Sequence, residues 1–454
     1  MLVPKTLIAK LRASPVAMRL ARGSVWSLAG SASSRILVLF AMTLAARILG
    51  REAFGELGMV QATLVMFGIL AGAGLGQTGT RFVAQHAKND PAEAARIIGL
   101  VQGSAFVLVS LVVALFILFS ATLAREVLEA PHLQRALMAA SLVMAVNVFR
   151  GIQNGIIAGF ERFDISARLN VLEGLLTLAF IILLAPAFGV LGVLLGLTMS
   201  GLFVWVVGQG VLGGICKSQQ VMVRYSDMRK RWRILANYSF PSLLANAVAT
   251  PALWLVMTWV ARGPDGYAQL GLYQAAYQWH APLMFLPMIL ANVSLPVLVQ
   301  AWESGEIHRY RKIFLTSSGF ALGITLVIAI PASVASPWIL SFYGKQFVEG
   351  WPLFVLLMLA TPFHAVAKIA SGALFGMNKP WWVFYANLAW SLALIAGSWL
   401  MVDPMGALGL SIAFCSAYFL LGSLTAGMVW FHAKAPCRDK QGFSSNMTSE
   451  TTVA

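Results

Sequence analysis

The sequence predicts an all-α integral membrane protein with twelve transmembrane helices in two parallel six-helix halves. Three observations carry this. Of 454 residues, 59% are hydrophobic and only 11% charged, and mean hydropathy is +0.78. A water-soluble chain of this size needs far more charge on its surface. Apolar runs of about twenty residues, the length that crosses ~30 Å of hydrocarbon, recur from Ser24 to His432. They are too long for barrel strands. Finally, short motifs repeat six helices apart.

Taken in order, the first six helices are expected near 24–47, 54–80, 97–120, 133–159, 166–186 and 190–213. The second six are expected near 234–261, 268–301, 313–335, 350–377, 381–401 and 405–432. These ranges divide the chain into a basic amphipathic segment (1–23), an N-terminal half (24–213), a basic linker (214–233), a C-terminal half (234–432) and a tail (433–454). The segment "KTLIAKLRASPVAMRLAR" (5–22) suits a surface helix on anionic lipid. Pro15 and Arg19 interrupt it, and no clean cleavage site follows, so it does not read as a signal peptide. The Ser/Thr-rich tail is too polar to build a core and is expected to be disordered.

A net charge of +15 would suggest nucleic acid in a soluble protein. Here its distribution gives another answer. With the N-terminus inside, 23 of the 32 Lys and Arg fall in cytoplasmic segments, six fall on the opposite side, and Arg35, Arg150 and Lys368 lie within spans. That bias places both termini in the cytoplasm, supports an even span count and leaves no nucleic-acid role. The outer loops are too short to form a domain. Cys216, Cys415 and Cys437 show no metal-ligand spacing and no reason to pair.

"EAFGELGMVQA" (52–62) resembles "DGYAQLGLYQA" (265–275): Leu57, Gly58, Gln61 and Ala62 match Leu270, Gly271, Gln274 and Ala275. "AGFERFDISARLN" (158–170) echoes "FGMNKPWWVFYAN" (375–387), with Gly159 on Gly376 and Asn170 on Asn387. Both echoes join helices of the same orientation, as in parallel repeats about an axis along the membrane normal.

The three charges inside spans matter most. A lysine at mid-bilayer costs roughly 2.5–3.5 kcal/mol on insertion scales. In "FHAVAKIASG" (363–372), His364 and Lys368 stand one turn apart and share a face with Ser371. Under the second echo His364 falls on Asn147 and Lys368 on Gly151, beside Arg150. Asn147, Arg150 and Asn154 share a face in helix 4, and helix 1 adds Arg35 on the side of Ser24, Ser27 and Ser31. Two such polar stripes facing one axis make a cationic, wet cavity. Arg150 and Glu173 lie equally far from the turn at Glu161 and Arg162, so a buried ion pair is one reading of Glu173. A protonatable or cation-binding coupling site is the other. No acid stands at the corresponding place for Lys368, where the hairpin partner reads "NLAWSLA" (387–393), and none lies near Arg35 in its own span. An unpaired buried cation marks a functional site by default, and its natural partner is a mobile anion.

Helix 8, "GLYQAAYQWHAPLMFLPMILANVSLP" (271–296), offers Gln274, Tyr277, Gln278 and His280 for hydrogen bonding and stacking. Pro282, Pro287 and Pro296 can bend it. Helix 7 carries Asn237, Pro241, Asn246 and Pro251. The glycines of "GILAGAGLGQTG" (68–79) lie within a span and read as close-packing surfaces. No Walker motif appears, so no ATPase is expected of this chain, and no HExxH, CxxC or GxSxG appears either. The loop "RFVAQHAKNDPAEAARI" lacks the Gly-x-x-x-Asp-Arg pattern of major-facilitator transporters.

Two parallel six-helix halves, a basic segment before helix 1 and "ARILGREAFGELGMVQA" (46–62), with its A-R-x-L-G-x-x-x-F-G opening, resemble a known family. This is the O-antigen type polysaccharide flippases of the multidrug/oligosaccharidyl-lipid/polysaccharide (MOP) exporter superfamily, and the resemblance covers about residues 20–430. It implies a MATE-like fold and a transporter, not an enzyme. It also implies movement of an undecaprenyl-pyrophosphate-linked oligosaccharide by alternating access, with no cofactor but with H+ or Na+ coupling. Lipid II flippases of the superfamily usually have fourteen spans, against twelve here. On this view Arg35 and Lys368 hold the pyrophosphate, Arg150, His364 and Asn147 flank it, and Gln274, Tyr277 and Gln278 face the sugars. Glu173 is the coupling candidate. Expected partners are membrane lipids, a polysaccharide polymerase and chain-length machinery. The rival classes are a drug/cation antiporter, which needs acids in its cavity, and a non-transporting scaffold of a glycan-assembly complex, which tolerates neutralised charges.

Overall fold

The computed structural model describes residues 15–72, 74–223, 225 and 248–433, with side chains from residue 32 onward. The N-terminal segment before Pro15, Arg224 and residues 226–233 of the linker, Asn237, Pro241, Asn246 and the tail beyond Ala433 lie outside the described residues, as do the side chains of Ser24, Ser27 and Ser31.

In hydrocarbon every backbone N–H and C=O must find a partner within the protein, which leaves helices as the economical choice for this chain. The run Pro15–Gly72 reverses at Gly50 (φ 80°, ψ 173°), giving α1 (15–49) and the start of α2, which continues through Leu75–His86. Then follow α3 (Pro91–Thr122) and α4 (Gln134–Gly159). Phe163–Ser218 reverses at Gly189, giving α5 (163–188) and α6 (190–218). The second half holds α7 (Ala249–Arg262) and α8, which is broken into Gly266–Tyr277, His280–Leu283 and Phe285–Glu303. It ends with α9 (Ile307–Val334), α10 (Trp351–Gly376), α11 (Pro380–Met405) and α12 (Ala407–His432). Nine described helices are long and apolar enough to span a membrane. Two of them double back at Gly50 and Gly189, and α7 is described only from Ala249, which accounts for twelve passes. Outward faces carry side chains such as Phe106, Leu118, Val327 and Trp399, each about two-thirds exposed or more. Only lipid tolerates such a belt.

The two halves repeat one backbone plan. Gly189 (φ 57°, ψ −133°) turns α5 into α6, and Gly406 (φ 57°, ψ −131°) turns α11 into α12. Their separation is the one that carries Gly159 onto Gly376. Glu161 (φ 61°) and Asn378 (φ 58°) occupy left-handed turns at the same separation. Three residues past each hinge stands a second glycine. A methyl on Gly192 would strike the Leu184 carbonyl, and one on Gly409 the corresponding Met401 carbonyl. Backbones approach this closely only where the side chain is a hydrogen atom.

The halves meet at the end that bears Gly50, Glu129, Asp265 and Gly344. There α2 crosses α8 with backbones touching: a methyl on Gly55 would run into the Tyr267 carbonyl, and one on Gly271 into that of Arg51. These glycines belong to the echoed motifs, so the repeat is also the seam. Phe54 packs edge-on against Tyr343 (6.5 Å) and Phe347 (5.9 Å) of the α9–α10 connection. Arg262 donates to the Glu126 carbonyl (2.8 Å) and the Val127 carbonyl (3.0 Å), and Tyr267 Oη donates to that of Leu128 (2.8 Å). Arg51 pairs with Glu349 at 3.0 Å on the exposed rim. Deeper in, Trp254 Nε1 donates to Thr63 Oγ1 (2.9 Å).

The buried apolar residues divide accordingly. One cluster draws on both halves and includes Phe54, Leu57, Leu270, Tyr273 and Phe354. Toward the other end, Ile98, Ile156 and Leu212 belong to a cluster confined to the first half, and Tyr310, Ile369 and Leu374 to one confined to the second. Among the described residues the bundle is thus fused at one end and divided at the other.

Gly271→Val is expected to wedge the seam apart. Spin labels at Glu126→Cys and Asp265→Cys should then report a longer distance than in the parent, while membrane insertion persists; an unchanged distance would contradict the fusion. Gly409→Ala, which overpacks against backbone, should cost about 1–3 kcal/mol. Gly427→Ala, with open space around it, should be neutral when thermal stability is followed by size exclusion after heating.

Candidate functional site

The break in α8 shapes the centre of the second half. Pro282 lacks the N–H that would continue the ladder, and the chain makes one short turn, His280–Leu283, before resuming. This turn brings His280, only 5% exposed, against α10. Its Nδ1 lies 3.1 Å from Thr361 Oγ1 and its Nε2 lies 2.9 Å from His364 Nδ1. The rings of Tyr273, Tyr277, His280 and His364 stack in sequence at 5.7, 5.8 and 5.2 Å. Tyr418 of α12 caps the column 4.3 Å from His364.

Beside this column lies a cavity of about 430 Å3. Its walls are His364 and Lys368 of α10, Asn387 and Trp390 of α11, Tyr418 and Leu421 of α12, Ala249 and Thr250 of α7, and Ile69 of α2. It therefore sits where the halves face each other. Lys368 is exposed to it, and among the described residues no carboxylate lines the space or pairs with the ammonium. Trp390 is 4% exposed, yet its buried indole Nε1–H has no acceptor among the described residues. A buried donor left unsatisfied is costly and asks for an explanation. Asn387 adds an amide. The cavity offers a fixed positive charge, the Asn387 amide, an imidazole and an aromatic face, which suits an anion carrying hydroxyl-rich groups.

The first half answers its own buried cation differently. Arg150 is 3% exposed. Its Nη2 donates to Glu173 (2.9 Å) and to Asn170 Oδ1 (3.3 Å), Nε donates to Glu173 (3.3 Å), and Nη1 donates to Gln153 Oε1 (2.8 Å). Gln153 in turn donates to the Trp205 carbonyl. The separation that carries Asn170 onto Asn387 carries Glu173 onto Trp390, so the second half has an indole where the first has a carboxylate.

Of the residues singled out from sequence, His364 and Lys368 line this one cavity. Arg35 does not line it. Its Nη1 donates to the Ala281 carbonyl (3.2 Å), and its guanidinium lies over Phe285 (5.4 Å), joining α1 to the break in α8 one residue from His280. It has no carboxylate partner among the described residues. Arg150 and Glu173 form the ion pair just described instead of flanking Lys368. Asn147 is exposed but outside the cavity. Gln274, Tyr277 and Gln278 do not face it either. Gln274 packs on Gly58 across the seam, Tyr277 is held in the ring column, and Gln278 Oε1 accepts from Tyr343 Oη at 3.4 Å. Residues before the break in α8 lie mainly against α2, and those after it lie against α9 and α10. Trp390, Tyr418 and Thr250 were missed, although the second echo places Trp390 opposite Glu173.

Two curated proteins, the EPS I polysaccharide export inner membrane protein EpsE of Ralstonia solanacearum and that of Ralstonia nicotianae, are similar to this chain. They are 25% identical over 197 residues and 22% identical over 299 residues. The alignments take in 42% and 63% of this chain and 44% and 65% of the relatives, so the match spans less than two thirds of either relative. The inward-facing conformation of a multidrug resistance MATE family transporter of the MOP superfamily superposes with a TM-score of 0.75 at 14% identity, covering 89% of this chain and 96% of that one. Lipid II flippase MurJ, in an inward closed conformation, does so with a TM-score of 0.72 at 14% identity, covering 90% and 88%. At such identity these two likenesses speak for the fold. The family model described as polysaccharide biosynthesis protein matches residues 20–302, more than half of the chain. This chain is therefore a multi-pass membrane protein of the polysaccharide biosynthesis protein family, built on the MOP transporter fold.

Proposed function

We propose that this protein is a flippase that carries an undecaprenyl-pyrophosphate-linked oligosaccharide from the cytoplasmic to the periplasmic leaflet of the bacterial inner membrane. One observation bears most of the weight: among the described residues, Lys368 stands without a counter-ion in a cavity between the halves. A pyrophosphate supplies the missing negative charge. Neither it nor a hydrated glycan crosses hydrocarbon unaided, because stripping water from the charge is prohibitive. The polyprenyl chain stays in lipid while the head group travels between the halves.

Direction follows from charge. The bias of Lys and Arg assigns the divided end, with Arg162, Arg309 and Lys379, to the cytoplasm. The fused end then faces the periplasm, so the state described is open for loading. Separation of the Gly55–Gly271 seam, with closure at the other end, delivers the head group outward. A role in polysaccharide export agrees with the names of the EpsE relatives. An organic-cation antiporter would want acids where Lys368 stands. Coupling to an H+ or Na+ gradient and cooperation with a polysaccharide polymerase and chain-length machinery remain part of the proposal.

The direct test is transfer of a labelled lipid-linked oligosaccharide across proteoliposomes, with and without a pH or sodium gradient. Lys368→Gln should reduce transfer about 10- to 100-fold, the worth of one charged hydrogen bond of about 1.5–3 kcal/mol, at unchanged expression. Wild-type transfer by this variant would remove the anion site from the mechanism. Arg150→Ala should act on stability instead. Removing one member of a buried pair costs about 3–5 kcal/mol, and Glu173 at 28% exposure draws that figure toward its lower end. The double variant Arg150→Met with Glu173→Met should recover most of the melting temperature.

A further inference from the structure

The imidazole pair behind the cavity has a fixed direction. Thr361 Oγ1 gives its one proton to the Leu357 carbonyl (3.1 Å), so toward His280 Nδ1 it can only accept. In the neutral ring His280 therefore carries its proton on Nδ1 and leaves Nε2 bare. The bare Nε2 faces His364 Nδ1 at 2.9 Å, and His364 must be the donor. Its own Nε2, at the other edge of the ring, keeps a free lone pair and has no partner among the described residues, and the residue lines the cavity beside Lys368. A proton arriving at that nitrogen would disturb none of these hydrogen bonds.

We infer that the cavity takes up a proton on His364 Nε2 when a pyrophosphate diester binds beside Lys368, so that loading is linked to protonation. This rests on the flippase reading above. A pyrophosphate esterified at both ends carries two negative charges, and Lys368 supplies one positive. In a space of low dielectric the remaining charge needs an answer. His364 can provide it, whereas in the empty cavity a second cation one turn from Lys368 is repelled. Among the described residues the surroundings offer no carboxylate to take the proton. His280 and Tyr277 face His364 from α8, Tyr418 from α12, and Trp390 and Asn387 from α11. From α2 and α7 the facing groups are Ile69, Ala249 and Thr250. Between Lys312 and Val334, α9 carries no charged residue. Arg35 is held on the Ala281 carbonyl beside His280. None of these groups is a carboxylate.

The probe is a polyprenyl-pyrophosphoryl-N-acetylglucosamine titrated into the purified full-length protein in detergent. Its phosphates are diesters, fully ionised near neutral pH, so any proton exchanged belongs to the protein. Calorimetry in buffers of different ionisation enthalpy should report uptake of about one proton per ligand, with affinity falling as pH rises by up to about tenfold per unit. His364→Asn places an amide nitrogen near the position of Nδ1 and keeps the bond to His280, but removes the ionisable edge. It should bind with uptake near zero and a flat pH profile. Binding to wild type without proton uptake overturns the inference, as does undiminished uptake in His364→Asn, and the wild-type result stands even where the variant fails to fold. No binding to wild type at any pH overturns the flippase reading itself.

Discussion

A charge or a backbone polar group inside a bilayer must be answered by the protein or by water it admits, and nearly every feature of this molecule follows from that demand. It makes the chain helical and keeps reversals at the membrane surfaces, some at glycines such as Gly50, Gly189 and Gly406 and others at residues such as Glu161 and Asn378. It locks Arg150 to Glu173, Asn170 and Gln153. It sends Arg35 to a backbone carbonyl at the α8 break. Lys368 is the exception, and it is housed in a cavity and not against lipid.

The repeat gives the two halves the same frame and lets them divide the work. On the same hairpin, the pair Glu173 and Gly201 in the first half becomes Trp390 and Tyr418 in the second. A Cβ on Gly201 would stand 3.8 Å from Glu173 Oε1, and the Trp390 and Tyr418 rings lie 5.2 Å apart. One carboxylate neutralises its arginine and rigidifies its bundle. Two aromatic rings leave a lysine free and wall its cavity. The two halves thus differ in whether a counter-ion is supplied at one of two equivalent places.

Much of this was legible in the sequence. Apolar runs of bilayer length located all twelve helices, because lipid enforces that length. The absence of an acid in "NLAWSLA" foretold that Lys368 would stand unpaired, and the hairpin spacing brought Arg150 to Glu173. The break in α8 was foreseen only as proline bending. Its position decides which side chains face the cavity, and so Gln274 and Gln278 were assigned to sugars when they serve the seam. Helix 2 is likewise interrupted at Gly74 (φ 69°), in a stretch read as continuous. "GVLG" (189–192) and "GALG" (406–409) spell out the repeated hinge, but four small residues in an apolar chain are a faint signal until the backbone shows what they do.

The bare ammonium of Lys368 has an energetic corollary within the proposed cycle. A carrier that changes sides passes through an occluded state in which such a chamber is cut off from bulk solvent on both faces. Empty, that intermediate would enclose a naked cation; loaded, it would enclose a compensated salt. On this reading the residue that binds cargo also raises the barrier to idle cycling, so that slippage is suppressed without any dedicated latch.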